Sequence, residues 1–117
     1  MGENLIPKEI FDLNPTYLNF FENPITVQFD HRFLGMFTFI LVSILWIYAK
    51  KINLDANIRK KINILLMLVL FQISLGAATL ISYVNITIAL SHQFIAIIIY
   101  SVSIWILKSP TTRVQVK

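Results

Sequence analysis

The sequence predicts an all-α integral membrane protein with three transmembrane helices, and three observations carry that prediction. The chain of 117 residues is 56% hydrophobic, 14% charged and has a mean hydropathy of +0.71, whereas charged residues make up about a quarter of a soluble domain. Three apolar runs are each long enough to cross a hydrocarbon core of about 30 Å. Basic residues gather on one side of those runs and acidic residues on the other. Cysteine is absent, so disulfides and thiolate metal sites are excluded.

Residues 1–23 read as an outer-side segment. Their start, "MGENLIPKEIFDLNP", has no basic stretch leading into an apolar one and is too acidic for an arginine-rich transit peptide. Met-Gly is no myristoylation signal here, because Ile6 stands where Ser or Thr is needed. The first transmembrane helix is expected over residues 24–49. Asn23 before Pro24 supplies an N-cap and a proline at the first helical position, where its missing N–H costs no bond. A helix from Pro24 to Tyr48 is about 37 Å long at 1.5 Å per residue.

A basic inner-side loop, 50–61, reads "KKINLDANIRKK". The second helix, 62–83, is apolar apart from Asn63, Gln72 and a few small residues, and Gln72 could donate a hydrogen bond across a bundle. A short outer loop at 84–85 leads to the third helix, 86–107, which needs Ile86 as its start to reach full length and so takes His92 into its first turns. A basic inner-side tail, 108–117, closes the chain. Asn85 begins a glycosylation triplet, "NIT", but in a tight loop against the membrane the triplet reads as chance.

Lys50, Lys51, Arg59, Lys60, Lys61, Lys108, Arg113 and Lys117 share one side with a single acid, Asp55. Lys8 and Arg32 share the other with Glu3, Glu9, Asp12, Glu22 and Asp30. This positive-inside pattern puts the loop and tail inside, with Trp46, Tyr48 and Trp105 at the inner aromatic belt. The lysines read as solvated anchors, and nothing beside the net charge of +4 points to nucleic acid.

With three spans, the first and third run parallel. His31 lies nineteen residues before Lys50 and His92 sixteen before Lys108, so their depths differ by only about 4.5 Å along a helix. Ionisable groups inside a membrane are costly and usually face protein or a polar cavity. Two neutral imidazoles at one depth on separate helices suit the two axial positions of haem iron. Zinc would need about four ligands. The alternative is structural: a helix-to-helix hydrogen bond or an interfacial ring. Gly35, one turn inward of His31, removes a side chain beside such a group, as do Ser74, Gly76, Ala77 and Ala78 on the second helix; ordinary small-residue packing would leave the same pattern. Arg32 could pair with a haem propionate, or snorkel to headgroups. Asp30 could orient an imidazole or pair with Arg32.

"FFENPITVQFDHRFLG", "FQISLGAATLISYV" and "ALSHQFIAIII" resemble the carboxy-terminal half of the heme A synthase family, from about Ile6 to Leu107. The "FEN...VQFDHR" string is the most specific of these motifs. The resemblance implies an eight-helix protein of two similar four-helix halves, each holding a haem between paired histidines, that converts haem O to haem A by oxidising a ring methyl to a formyl group. It implies that this chain forms part of a four-helix haem-binding bundle taking haem b, with His31 and His92 as iron ligands and Arg32 beside them. It also implies no catalytic residue on this chain, since Gln28 stands where the catalytic half has a glutamate three before its histidine. The chain covers three of those eight helices and reads as a fragment, a split-gene product or a truncated product. The implied partners are the missing amino-terminal half or a second copy, together with haem O synthase and cytochrome c oxidase assembly factors. The implied location is the mitochondrial inner membrane or a bacterial plasma membrane.

Overall fold

The computed structural model describes residues 8–52 and 54–109. These residues are all-α, with four helices: α1 (Asn19–Glu22), α2 (Pro24–Lys51), α3 (Ala56–Ile81) and α4 (Ile86–Leu107). The last three are long and apolar enough to cross a membrane, and the chain is a multi-pass membrane protein. The chain divides into two compact units, Met1–Thr38 and Phe39–Lys117.

The first unit is organised by polar side chains. Two short 3-10 turns, Lys8–Phe11 and Thr16–Leu18, precede α1 and the start of α2. Asn19, Asn23 and Thr26 are spaced i, i+4 and i+7 and are all buried. Asn19 Nδ2 donates to the carbonyls of Leu13 (2.8 Å) and Thr16 (2.9 Å), and its Oδ1 accepts from the Leu13 N–H (3.0 Å). Asn23 Nδ2 donates to the Glu9 carbonyl (2.8 Å) and to Asn19 Oδ1 (3.1 Å). Thr26 Oγ1 donates to the Ile10 carbonyl at 2.6 Å. The expected cap is in place: Asn23 Oδ1 accepts from the N–H groups of Ile25 (3.0 Å) and Thr26 (3.4 Å). These bonds satisfy carbonyls that irregular backbone would otherwise leave open near the membrane.

In the second unit α3 and α4 form a hairpin, and the C-terminal end of α2 packs on it. Ala49, Ile58 and Ile62 are buried there, with Trp46, Leu54 and Ile106 against them. Helix α3 starts at Ala56, well before the apolar run, so Arg59, Lys60 and Lys61 are helical rather than part of the expected loop. The reason is a local cap: Asp55 accepts from the Asn57 N–H at 3.1 Å. Lys61 departs from the solvated-anchor reading. It is 6% exposed, donates to Ser109 Oγ at 2.6 Å and sits 4.1 Å above the Trp105 ring. Lys50 stacks on Trp46 at 3.7 Å, and Trp46 Nε1 donates to Asn63 Oδ1 at 2.8 Å. This end of the helices thus combines cation-π contacts with hydrogen bonds.

Helix α3 ends at Ile81, two residues short of the expected span, because the chain turns into the left-handed region. The Val84 N–H reaches the Thr79 carbonyl (2.9 Å) and the Tyr83 N–H the Leu80 carbonyl (3.3 Å), the paired bonds of a Schellman close. Tyr83 (φ 52°) and Val84 (φ 61°) take this geometry without glycine. Asn85 then caps α4 by accepting from the Thr87 N–H at 3.0 Å.

Candidate functional site

Helix α3 presents a seam at residues 58, 62, 65, 69, 72 and 76, alternating steps of four and three as a helix-packing face requires. The first four, Ile58, Ile62, Leu65 and Val69, are buried. The last two are Gln72 and Gly76, where the apolar pattern breaks. Helix α4 carries the same spacing through Ile88, His92, Ile95, Ile99, Val102 and Ile106, all half-buried. The break on α3 coincides with His92.

Gly76 is where the imidazole rests. A Cβ built on it would lie 3.1 Å from His92 Cε1, 3.6 Å from Nδ1 and 4.0 Å from Nε2. The missing side chain admits the ring to the α3 backbone, where His92 Nδ1 lies 3.2 Å from the Gln72 carbonyl oxygen. A carbonyl only accepts, so this bond requires the proton on Nδ1. In the neutral ring Nε2 is then the unprotonated acceptor. Gln72 Nε2 lies 3.2 Å from it and donates to it. The reverse amide orientation would need a proton on Nε2 and leave the Nδ1 lone pair facing the carbonyl, so the bond network selects the orientation. Gln72 Oε1 is left buried without a hydrogen-bond partner among the described residues, an arrangement that costs about 1–3 kcal/mol.

His31, Arg32 and Gly35 lie on α2 in the first unit, all exposed. His31 and Gly35 are four apart and so share a helix face. A Cβ on Gly35 would meet nothing within 4 Å. Of the other small residues of α3, Ser74 is exposed with its hydroxyl bonded to the Leu70 carbonyl (3.0 Å), Ala77 is exposed and Ala78 is half-buried. Among the described residues no three His, Cys, Asp or Glu side chains cluster as a metal site would require. A shallow groove lined by Phe71, Leu90, Ser91, Phe94 and Ile95 is apolar apart from the Ser91 hydroxyl, which is bonded to the Thr87 carbonyl at 2.9 Å.

Residues 1–104 match the profile of the cytochrome oxidase assembly protein family, COX15-CtaA. The chain belongs to this family. It is 39% identical over 106 residues to the heme A synthase of Nitrosospira multiformis, a match covering 91% of this chain and 30% of that protein. It is 37% identical over 107 residues to the Bos taurus heme A synthase COX15, covering 92% and 26%, and 41% identical over 100 residues to the heme A synthase of the Wolbachia of Brugia malayi, covering 86% and 28%. The chain thus spans less than a third of the length of these relatives. No solved structure matches it.

Proposed function

We propose that this chain is the haem b-binding carboxy-terminal part of a heme A synthase, acting in the conversion of haem O to haem A for cytochrome c oxidase. The observation that carries the reading is the contact of His92 Nδ1 with the Gln72 carbonyl, 3.2 Å away, which makes Nε2 the unprotonated nitrogen of the neutral ring. Metal-bound histidines usually have this character, with the second ring nitrogen donating to a carbonyl or carboxylate that fixes the tautomer. A buried amide oxygen without a partner and a cradle that a Cβ would fill mark the same place as one built around the imidazole. His92 and His31 would ligate the iron, Arg32 would pair with a propionate, and Gly35 and Gly76 would leave room. Bound there, haem iron supplies one-electron redox chemistry.

The chain's share is binding and orientation. It carries no catalytic residue, and activity requires an amino-terminal portion or a second copy, in the mitochondrial inner membrane or a bacterial plasma membrane. Haem O synthase and oxidase assembly factors are the partners this function calls for. A second reading has its own observation: the Gln72 to His92 hydrogen bond is a helix-to-helix tie, as expected of a haem-free or electron-carrying subunit assisting oxidase assembly. Co-expressing the chain with the amino-terminal portion of a relative and supplying haem O separates these. Formyl haem that forms only when both parts are present supports the synthase. Haem bound without formyl haem favours the carrier, and no haem favours the haem-free subunit.

A further inference from the structure

We propose that the Gln72 side chain is a displaceable cap on His92 Nε2, a positioning residue that holds the nitrogen in the haem-free chain and yields it when iron binds. The inference rests on the haem reading above and deepens it. The Gln72 main chain and side chain act on opposite nitrogens of one ring: the carbonyl lies 3.2 Å from Nδ1 and the amide nitrogen 3.2 Å from Nε2. The main-chain contact fixes the tautomer, and its carbonyl is held in place by α3. The side-chain contact can leave by rotation about its own bonds. It also occupies the direction in which Nε2 would bind a metal, so cap and iron exclude one another.

The cap is also poorly satisfied, which makes it suited to release. Its amide oxygen is buried with no partner among the described residues. An amide placed only for packing or solvation would be expected to engage both of its ends. Rotation away from the imidazole gives that oxygen the chance of a new donor while iron replaces the lost bond at Nε2. The cap gives Nε2 a donor before haem arrives, and it slightly disfavours adventitious metal.

The test uses the whole chain in mild detergent, labelled with ¹⁵N-histidine, and iron protoporphyrin IX as probe. Wild type, Gln72→Leu, Gln72→Glu and His92→Ala are compared, with helical content checked by circular dichroism. In the haem-free wild type, the His92 resonances should show Nδ1 as the protonated nitrogen and Nε2 as the bare one. Gln72→Leu keeps the main-chain carbonyl and removes the cap. It should retain that tautomer and bind the porphyrin about 2- to 10-fold more tightly, the value of one hydrogen bond. Gln72→Glu, if protonated in the membrane, retains a donor and should bind like wild type. Unchanged or weaker binding by Gln72→Leu, while His92→Ala loses the low-spin spectrum, overturns the cap and leaves the haem reading standing. Haem binding that survives His92→Ala, or no binding by any form, overturns both. A proton on Nε2 in the haem-free wild type overturns the cap whatever the titration gives.

Discussion

Replacing Gly76 by alanine separates helix stability from imidazole placement. The new methyl would stand 3.1 Å from His92 Cε1, whereas carbon atoms settle at about 3.5–4.0 Å. The ring must therefore retreat by about 0.4 Å or more. Retreat of the ring from α3 lengthens the contact between Nδ1 and the Gln72 carbonyl, already 3.2 Å, toward the limit of a hydrogen bond. Losing the bond costs about 0.5–1.5 kcal/mol, while alanine in place of a mid-helix glycine returns about 0.5–1 kcal/mol. The two nearly cancel, so thermal unfolding of the haem-free chain should barely move. Haem binding should not be spared, because outer-shell partners of metal-bound histidines are worth about 10- to 100-fold in affinity. The assay is an optical titration with iron protoporphyrin IX beside a thermal scan of the same samples. Wild-type affinity in Gly76→Ala would refute the argument, as would a large stability loss that accounts for weaker binding.

Three further outcomes follow from the same physics. Gly35→Ala meets no atom of the chain within 4 Å, so it should raise the haem-free melting temperature, by about 0.5–1 kcal/mol in stability, and weaken porphyrin binding if Gly35 leaves room for the ring; unchanged affinity would remove Gly35 from the site. Val84→Gly relieves a β-branched residue at φ 61° whose side chain is 65% exposed, and should stabilise the chain by about 1 kcal/mol, read by thermal unfolding in detergent. Asn23→Ala removes the cap of α2 and the bonds to Glu9 and Asn19; it should cost about 1–3 kcal/mol and speed proteolytic nicking between residues 8 and 18.

The three spans were legible because lipid demands long apolar runs, and Asn23-Pro24 marked the start of α2 by its own capping chemistry. The start of α3 at Ala56 is not legible in the same way, because Arg59, Lys60 and Lys61 look like loop while the capping role of Asp55 depends on local geometry. The Asn19, Asn23 and Thr26 clasp escaped notice for a different reason. Its acceptors are main-chain carbonyls of Glu9, Ile10, Leu13 and Thr16, and no residue type announces a carbonyl. Gln72 was visible as a lone amide, but its meaning lies in the seam: counting 58, 62, 65, 69, 72, 76 finds the two positions where the apolar pattern gives way. Gly76, expected to make room for a cofactor, lies against the imidazole, and a Cβ there would stand 3.1 Å from His92 Cε1. The bend at Tyr83 and Val84 carried no glycine to signal it.

The central claim, that His31 and His92 together bind haem b, is tested most directly by the reduced-minus-oxidised spectrum of the purified chain from haem-supplemented cells, beside His31→Ala and His92→Ala, each with its partner portion present. The account predicts a stoichiometric low-spin spectrum in the wild type that is lost in both variants. A folded wild type with no haem, or a spectrum unchanged by either substitution, would contradict it.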